Sequence, residues 1–373
     1  MKRLLIIAFR PEGSEPRLNR FAEYLPEFGW ETRYVGVPYV LPRGNGKMNH
    51  FFNVMGLEDF SFPVSPLILD EARRAVDEFS PHALLVSCPP FSGAILGAIL
   101  KRRLGLPYVL DYRDPWIFNE ARRHFSARHD RWYQGLERRV DRYADLVTLP
   151  GESYVDEYVP RMGRMAVPLI NGFNPDMLSG VAPKEFDRFT FAYIGTMWMS
   201  GGTQFLHTYC SLAEKFEWFR DNSQFIVAGR IFPPKDSIIH AMNHITYRGL
   251  VSREEALALT AGADCLVYSS PYNVVGPMDL ASRIYEYAYL GKYILAVAHP
   301  EGDIASVVDN TRCGELINFE NQDEILRTQM LELVSRWIEG DPVVADKDKL
   351  GLKLYDSRLA ISELANHLNK LVE

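Results

Sequence analysis

Short apolar runs that alternate with longer amphipathic stretches restrict this sequence more than any other feature. "RLLIIAF" (3–9), "TRYVGV" (32–37), "ALLVSC" (83–88), "PYVLDY" (107–112) and "LVTLP" (146–150) read as buried strands. Between them "RLNRFAEYLPEFG", "LILDEARRAVDEF", "FSGAILGAILKRRLG" and "RWYQGLERRVDRYA" carry apolar residues at helical spacing. Near-continuous apolar strands separated by helices require a parallel sheet covered on both faces. The rhythm pauses at "NGFNPDMLSGVAPKEFDR" (171–188), whose Gly, Pro, Asn and Asp mark a linker. It resumes with "FTFAYIG" (189–195), "SQFIVAG" (223–229), "HITYRG" (244–249), "DCLVYSS" (264–270), "KYILAVA" (292–298) and "CGELINF" (313–319). The predicted fold is α/β: two tandem Rossmann-like, doubly wound domains facing a cleft, residues 1–172 and 186–345. In such sheets ligands bind outside the carboxyl ends of the strands.

A length of 373 residues suits two such domains, and 47% hydrophobic with 24% charged residues is an ordinary globular balance. The net charge of −7 argues against a general nucleic-acid binder. Its distribution is uneven: residues 1–186 hold 24 Lys+Arg against 23 Asp+Glu, and the remainder holds 17 against 25. "ARRHFSARHDRWYQGLERRVDR" (121–142) concentrates seven arginines against three acids, with Phe125, Trp132 and Tyr133 interleaved. That surface reads either as a peripheral contact with anionic lipid or as a solvated helix pair with internal ion pairs. The four cysteines are scattered, with no CxxC pair, and suit buried free thiols in a reducing compartment. "MKRLLIIAF" has too short an apolar run for a signal peptide, and Pro89-Pro90 interrupts the apolar stretch 84–100. The expected location is cytoplasmic, with peripheral membrane contact at most.

Several loops carry residues suited to chemistry, each with a plainer alternative. Gly13 and Ser14 after the first strand either expose backbone N–H groups to a ligand or simply make a turn. In "VLDYRDPWIFNE" Pro115 keeps Asp114 out of a helix, where it orients a hydroxyl, moves a proton, or braces the loop against Arg113. Arg230 in "VAGRI" is either a fork for a diphosphate or a solvated arginine. "ITYRGLVSREEAL" gives a strand, a glycine turn and a capped helix; Tyr247, Gly249 and Leu250 bring its backbone to the place a nucleobase needs. In "SRIYEYAYLG" (282–291) Asp279 is the expected N-cap of a helix running to Leu290, with Gly291 ending it. Arg283 and Glu286 then share one face, as an ordinary ion pair or as grips for a phosphate and a ribose.

Taken in order, these segments resemble the GT4-type retaining glycosyltransferases of the GT-B fold. The resemblance runs through "RPEGSEPRLNRFAEYLPEFGWE", "SCPPFSGAILGAILKRRLGLPYVLDYRDPW", "ERRVDRYADLVTLP", "LINGFNPD", "GADCLVYSS" and "SRIYEYAYLGKYILA". It implies that Glu286 binds the nucleotide ribose and that Arg283 approaches the diphosphate. With these go Ser282, Gly195, Thr196, Tyr247, Gly249, Leu250, Gly13 and Arg230 as donor-binding residues, and Asp114, Arg230 and Arg283 as catalytic ones. It also implies a C-terminal helix (355–373) packed back on the first domain. Two features depart from the family. Met278 stands where many members have a second glutamate, and "GTMWMSGGTQF" offers only Thr196, backbone and Gly201-Gly202 where many have an Arg and a Lys.

The expected reaction moves a sugar from a nucleotide-diphosphate donor to an acceptor hydroxyl on a glycan, glycolipid or small molecule, with retention. No acidic or His-rich cluster suggests a metal, and arginines with helix N–H groups can stabilise the leaving diphosphate instead. Two other readings stay open on the same fold: a sugar-nucleotide epimerase or hydrolase, and a catalytically silent partner subunit. A nicotinamide dehydrogenase and a Ser–His–Asp hydrolase are disfavoured, since neither G-x-G-x-x-G after a strand nor G-x-S-x-G occurs.

Overall fold

Every apolar run forms a strand, and the strands pair in parallel throughout. The computed structural model describes residues 1–36, 65–114, 116, 127–232, 242–270, 276–279, 281–318, 322–343, 345 and 349–373. Phe125 and Pro115 lie outside them. The chain divides into two compact units, one of residues 1–171 with 357–373 and one of residues 172–356.

In the first unit the strands are β1 (Lys2–Ala8), β2 (Trp30–Val35), β3 (Ala83–Cys88), β4 (Tyr108–Tyr112), β5 (Leu146–Leu149) and β6 (Val167–Pro168). They lie in the order β2-β1-β3-β4-β5-β6. All of β3 and β4 is buried, as strands covered on both faces must be. One cover is the helix Ser357–Val372, whose Ile361, Leu364 and Leu368 join Leu4, Ile6, Phe21 and Trp30 in a single core. Asn369 on this helix accepts from Trp30 Nε1 at 3.2 Å and from Lys2 Nζ at 3.0 Å, which fixes its register. The first helix is shorter than its pattern suggests. It spans Pro16–Tyr24 and gives way to a 3-10 turn at Leu25–Phe28, because Pro26 has no N–H to continue the ladder.

The centre of this sheet holds a buried charge. Asp111 on β4 is fully buried, and Arg17 from the first helix reaches it with Nε at 3.1 Å and Nη2 at 2.7 Å. Ser87 Oγ donates to it at 2.8 Å and Thr148 Oγ1 at 2.7 Å. Burial pushes this carboxyl up, but the Arg17 charge and the hydrogen bonds outweigh it and leave the group below its ordinary value.

In the second unit the strands are β7 (Phe189–Ile194), β8 (Met197–Trp198), β9 (Ser223–Ala228), β10 (Ile231–Phe232), β11 (Ile245–Tyr247), β12 (Cys265–Ser269), β13 (Tyr293–Val297) and β14 (Gly314–Ile317). The main sheet runs β11-β9-β7-β12-β13-β14, and β8 pairs with β10 beside it. The order reverses between β7 and β12, which opens a crevice at their carboxyl ends. An aromatic core of Phe189, Phe191, Tyr209, Phe219 and Phe225 fills one face of the sheet. Cys88, Cys265 and Cys313 are buried free thiols as expected, but Cys210 is only half-buried; its Sγ donates to the Asn243 carbonyl at 3.0 Å. Among the described residues no helix is long and apolar enough to cross a membrane.

Asp111 makes a sharp stability test. Its lowered pKa stabilises the fold fully above the unfolded carboxyl value of about 3.9, and that contribution is lost as pH falls through the native value. Asp111→Asn leaves Arg17 buried without its counter-charge. Hydrogen exchange at β3 and β4 amides is expected to show a loss of about 3–5 kcal/mol near neutral pH, shrinking in acid. An unchanged exchange profile would remove this network from the account of unit stability.

Candidate functional site

The carboxyl ends of β7 and β9 need glycine. Gly195 ends β7 at φ +116° and Gly229 ends β9 at φ +137°, both in the region that disfavours side chains. Their backbones also touch: a Cβ on Gly229 would stand 2.0 Å from the Gly195 carbonyl oxygen. Gly195 N–H donates to Ala228 O at 2.7 Å, and Gly229 N–H donates to Gly249 O at 2.7 Å. Three successive turns are thereby laced together at one edge of the sheet.

Beside these turns lies a cavity of about 450 Å³. Its wall includes Gly195, Thr196, Gly229, Leu250, Arg253 and Thr260, with Ser282, Arg283, Glu286 and Tyr287 from the helix Arg283–Tyr289. That helix starts later than the sequence pattern suggests. Ser282 is the residue at its N-cap and makes no side-chain cap. Asp279 instead accepts from Tyr268 Oη at 2.6 Å, and burial raises its carboxyl above the ordinary range. Met278 is buried, so the position offers the cavity no carboxylate.

Arg283 and Glu286 are neighbours on their helix but do not pair with each other, which sets aside an ordinary ion pair between them. Arg283 turns back beneath the β7 turn. Its Nη1 donates to Ile194 O at 3.1 Å, and its Nη2 donates to Thr196 O at 3.0 Å and Tyr193 Oη at 3.1 Å. The rings of Tyr193 and Tyr268 flank the guanidinium at 5.0 and 5.3 Å. One turn on, Tyr287 Oη reaches the same Ile194 carbonyl at 2.9 Å. A Cβ on Gly195 would fall 2.1 Å from Arg283 Nη1, so this bracing also requires glycine there.

Glu286 is held by a different residue. Arg253 Nη2 lies 2.5 Å from its Oε1 and Arg253 Nη1 lies 3.1 Å from its Oε2. Arg253 opens the helix Arg253–Gly262, where Ser252 is the N-cap and accepts from the Glu255 N–H at 3.0 Å. The "S-x-x-E" spacing in "VSREEAL" marks that start, but nothing local in it indicates a partner 33 residues away.

The structure therefore brings together Gly195, Thr196, Leu250, Ser282, Arg283 and Glu286, and adds Arg253. Arg230 is exposed and outside the cavity wall; the half-buried Tyr247 and Gly249 also lie outside it, though Tyr247 Oη donates to the Gly229 carbonyl at 3.2 Å. Gly13 and Asp114 belong to the other unit. Gly13, at φ +80°, lies in a turn closed by Ser14 onto the Pro11 carbonyl. Asp114 sits in an exposed bend after β4, outside any helix, as Pro115 requires. Arg113 beside it bonds Glu15 and the Pro89 carbonyl. Among the described residues no three His, Cys, Asp or Glu side chains gather in a metal-binding group.

Residues 12–170 match the family model for a glycosyl transferase 4-like domain. No curated protein sequence matches the chain significantly. Among solved structures it is similar to sucrose-phosphate synthase from Thermosynechococcus elongatus, at 13% identity and TM-score 0.68, over 100% of this chain and 99% of that one. The N-terminal domain of Candida albicans trehalose-6-phosphate phosphatase superposes at TM-score 0.69 with 10% identity, covering 99% of each chain. UDP-GlcNAc 2-epimerase from Neisseria meningitidis bound to UDP-GlcNAc gives 0.56 with 11% identity, over 99% of this chain and 100% of that one. At such identities the likeness is one of fold. Residues 12–170 thus match a glycosyl transferase 4-like domain, and the chain as a whole has the two-unit α/β architecture of the GT-B fold.

Proposed function

We propose that this chain transfers a sugar from a nucleoside-diphosphate donor to an acceptor hydroxyl with retained configuration, the second unit holding the nucleotide. Glu286 carries the reading. It is a carboxylate, only 19% exposed, on the wall of a cavity at the carboxyl ends of parallel strands. Its two oxygens match the two vicinal hydroxyls of a ribose. Leu250 and Val251 supply backbone beside the cavity for a base. The diphosphate lies among Thr196, Ser282 and the guanidinium edges of Arg253 and Arg283. These positive charges stabilise the leaving group without calling on a metal. The acceptor is a glycan, glycolipid or small molecule bound by the first unit, with Asp114 the residue that organises its hydroxyl. The glycosyl transferase 4-like match supports transfer over epimerisation or hydrolysis.

One observation favours a second reading. With Met278 buried and Asp279 committed to Tyr268, the side chains at 278 and 279 are not offered to a donor sugar. A catalytically silent subunit that binds nucleotide would look the same. Release of nucleoside diphosphate from UDP-, GDP-, CDP-, dTDP- or ADP-sugars, with and without a cell glycolipid extract, separates the cases. Turnover that needs the extract supports transfer. Turnover of the donor alone indicates an epimerase or hydrolase, and binding without turnover a silent subunit.

The nucleotide reading is tested by melting the protein with UDP, GDP, CDP, dTDP and ADP in metal-free buffer. One of them is expected to raise the melting temperature of the wild type and not that of Glu286→Ala, since a ligand of the native state must stabilise it. If none does so, with or without added magnesium, the assignment of the cavity fails.

A membrane-facing role for the first unit rests on the helix Ala127–Asp141. Its Glu137 and Asp141 are buried while Arg131, Arg138, Arg139 and Trp132 are exposed, so the outward face is more basic than the sequence count. The protein is expected to float with phosphatidylserine-containing vesicles at low salt and to be released at high salt. Trp132→Ala with Arg139→Glu should abolish flotation. Flotation by the double variant equal to wild type would place any membrane contact elsewhere.

A further inference from the structure

Glu286 has both carboxylate oxygens occupied. Arg253 meets them fork-on-fork, at 2.5 and 3.1 Å. A vicinal diol presents its two hydroxyls to a carboxylate in the same way, so ribose and Arg253 compete for one side of Glu286. Three features make Arg253 the partner that yields. Its side chain is 53% exposed, so the guanidinium can swing through solvent to a second partner. It occupies the first position of the helix Arg253–Gly262, where a positive charge opposes the helix dipole. Glu286, by contrast, sits on a helix pinned beneath the sheet edge through Arg283 and Tyr287.

The alternative cation in the cavity lacks this freedom. Arg283 spends three of its donors on Ile194, Thr196 and Tyr193, and moving it would open the β7 turn. We infer that Arg253 is a two-position latch: it holds Glu286 in the structure, yields it to the ribose hydroxyls on nucleotide binding, and transfers its guanidinium to the diphosphate oxygens. This rests on the nucleotide reading above. The latch makes the diphosphate a condition of tight binding. A nucleoside alone must break the Arg253–Glu286 pair and gives Arg253 nothing in exchange, whereas a nucleoside diphosphate replaces one charged partner with another. Arg253 thus compensates for the missing Arg and Lys after β7 and lets the site discriminate diphosphates from free nucleosides.

The test is calorimetric titration of wild type, Arg253→Ala and Arg253→Lys with UDP, GDP, CDP, dTDP and ADP and with the five matching nucleosides. For the diphosphate that binds, Arg253→Ala is expected to weaken affinity about tenfold or more, the scale of one charge-assisted contact. The matching nucleoside should bind Arg253→Ala as tightly as wild type or more tightly, because Glu286 is released from its competitor. Arg253→Lys, a point charge without the fork, should recover part of the diphosphate affinity. Equal weakening of nucleoside and diphosphate by Arg253→Ala would overturn the latch and leave Arg253 a residue that only positions Glu286. An undiminished diphosphate affinity would overturn it as well. If the wild type binds none of the five diphosphates, it is the nucleotide reading that has failed, and the latch falls with it. Melting curves without ligand identify a variant that does not fold; should Arg253→Ala be one, Arg253→Lys against nucleoside and diphosphate decides by the same comparison.

Discussion

One guanidinium holds the edge of the second sheet in shape. Arg283 donates from below to the carbonyls on either side of Gly195, and Tyr287, one turn along, shares the Ile194 carbonyl. A carbonyl that ends a parallel strand has no further ladder partner, so it must find a donor among the side chains of a neighbouring helix. The helix Arg283–Tyr289 supplies two, spaced four residues apart on one face. The price of a buried cation is met by oxygen acceptors and two tyrosine faces, with Asp279 close enough to act on its charge. Gly195 is part of the same arrangement, since any Cβ would displace Nη1. The cavity wall is the other side of this turn. Its geometry is therefore fixed by interactions that a ligand does not have to touch.

The first unit solves a related problem with a true ion pair. Asp111 receives donors from Arg17, Ser87 and Thr148, which brings together the first helix and strands β3, β4 and β5. A carboxylate with so many donors has little capacity left for a substrate, so Asp111 is a structural charge. The segment "LDYRDPW" thus divides its charges by depth. Asp111 is buried in the sheet, Arg113 is tied to Glu15 and the Pro89 carbonyl, and Asp114 is exposed beyond the strand end.

Strand positions were legible because burial on both faces demands unbroken apolar runs, which the order of the residues displays directly. Helix ends were less so. The first helix breaks at Pro26, a signal present in the sequence, but the late start of the helix at Arg283 follows from Tyr268, which claims Asp279 from a strand eleven residues earlier. The site shows the same limit. Glu286 and Arg283 were identified from one helix face, yet each finds its partners on other elements: Arg283 on the β7 turn and Glu286 on Arg253. Arg230 and Tyr247 were placed near the ligand by their position just past or within strands, and the structure keeps both out of the cavity wall. Periodicity reports which face a residue occupies; it does not report which donor from another loop reaches that face first.

Charge counts have a comparable blind spot, and the helix Ala127–Asp141 shows why. Two of its acids do not offset its arginines at the surface, because Glu137 and Asp141 are turned inward. Asp141 accepts from Tyr112 Oη at 2.7 Å and Tyr158 Oη at 2.6 Å, and burial raises its carboxyl to about 6 against those hydrogen bonds. An inward carboxyl whose oxygens are taken up by two tyrosine donors offers no acceptor at the surface, whereas an exposed arginine presents its charge to a partner directly. A stretch with modest excess charge can therefore present a strongly basic face. The same reasoning applies in the opposite sense to the second unit, whose sequence is acidic overall. Its cavity nonetheless gathers two guanidiniums against one carboxylate, so the local charge there is set by those three side chains rather than by the sum over the unit.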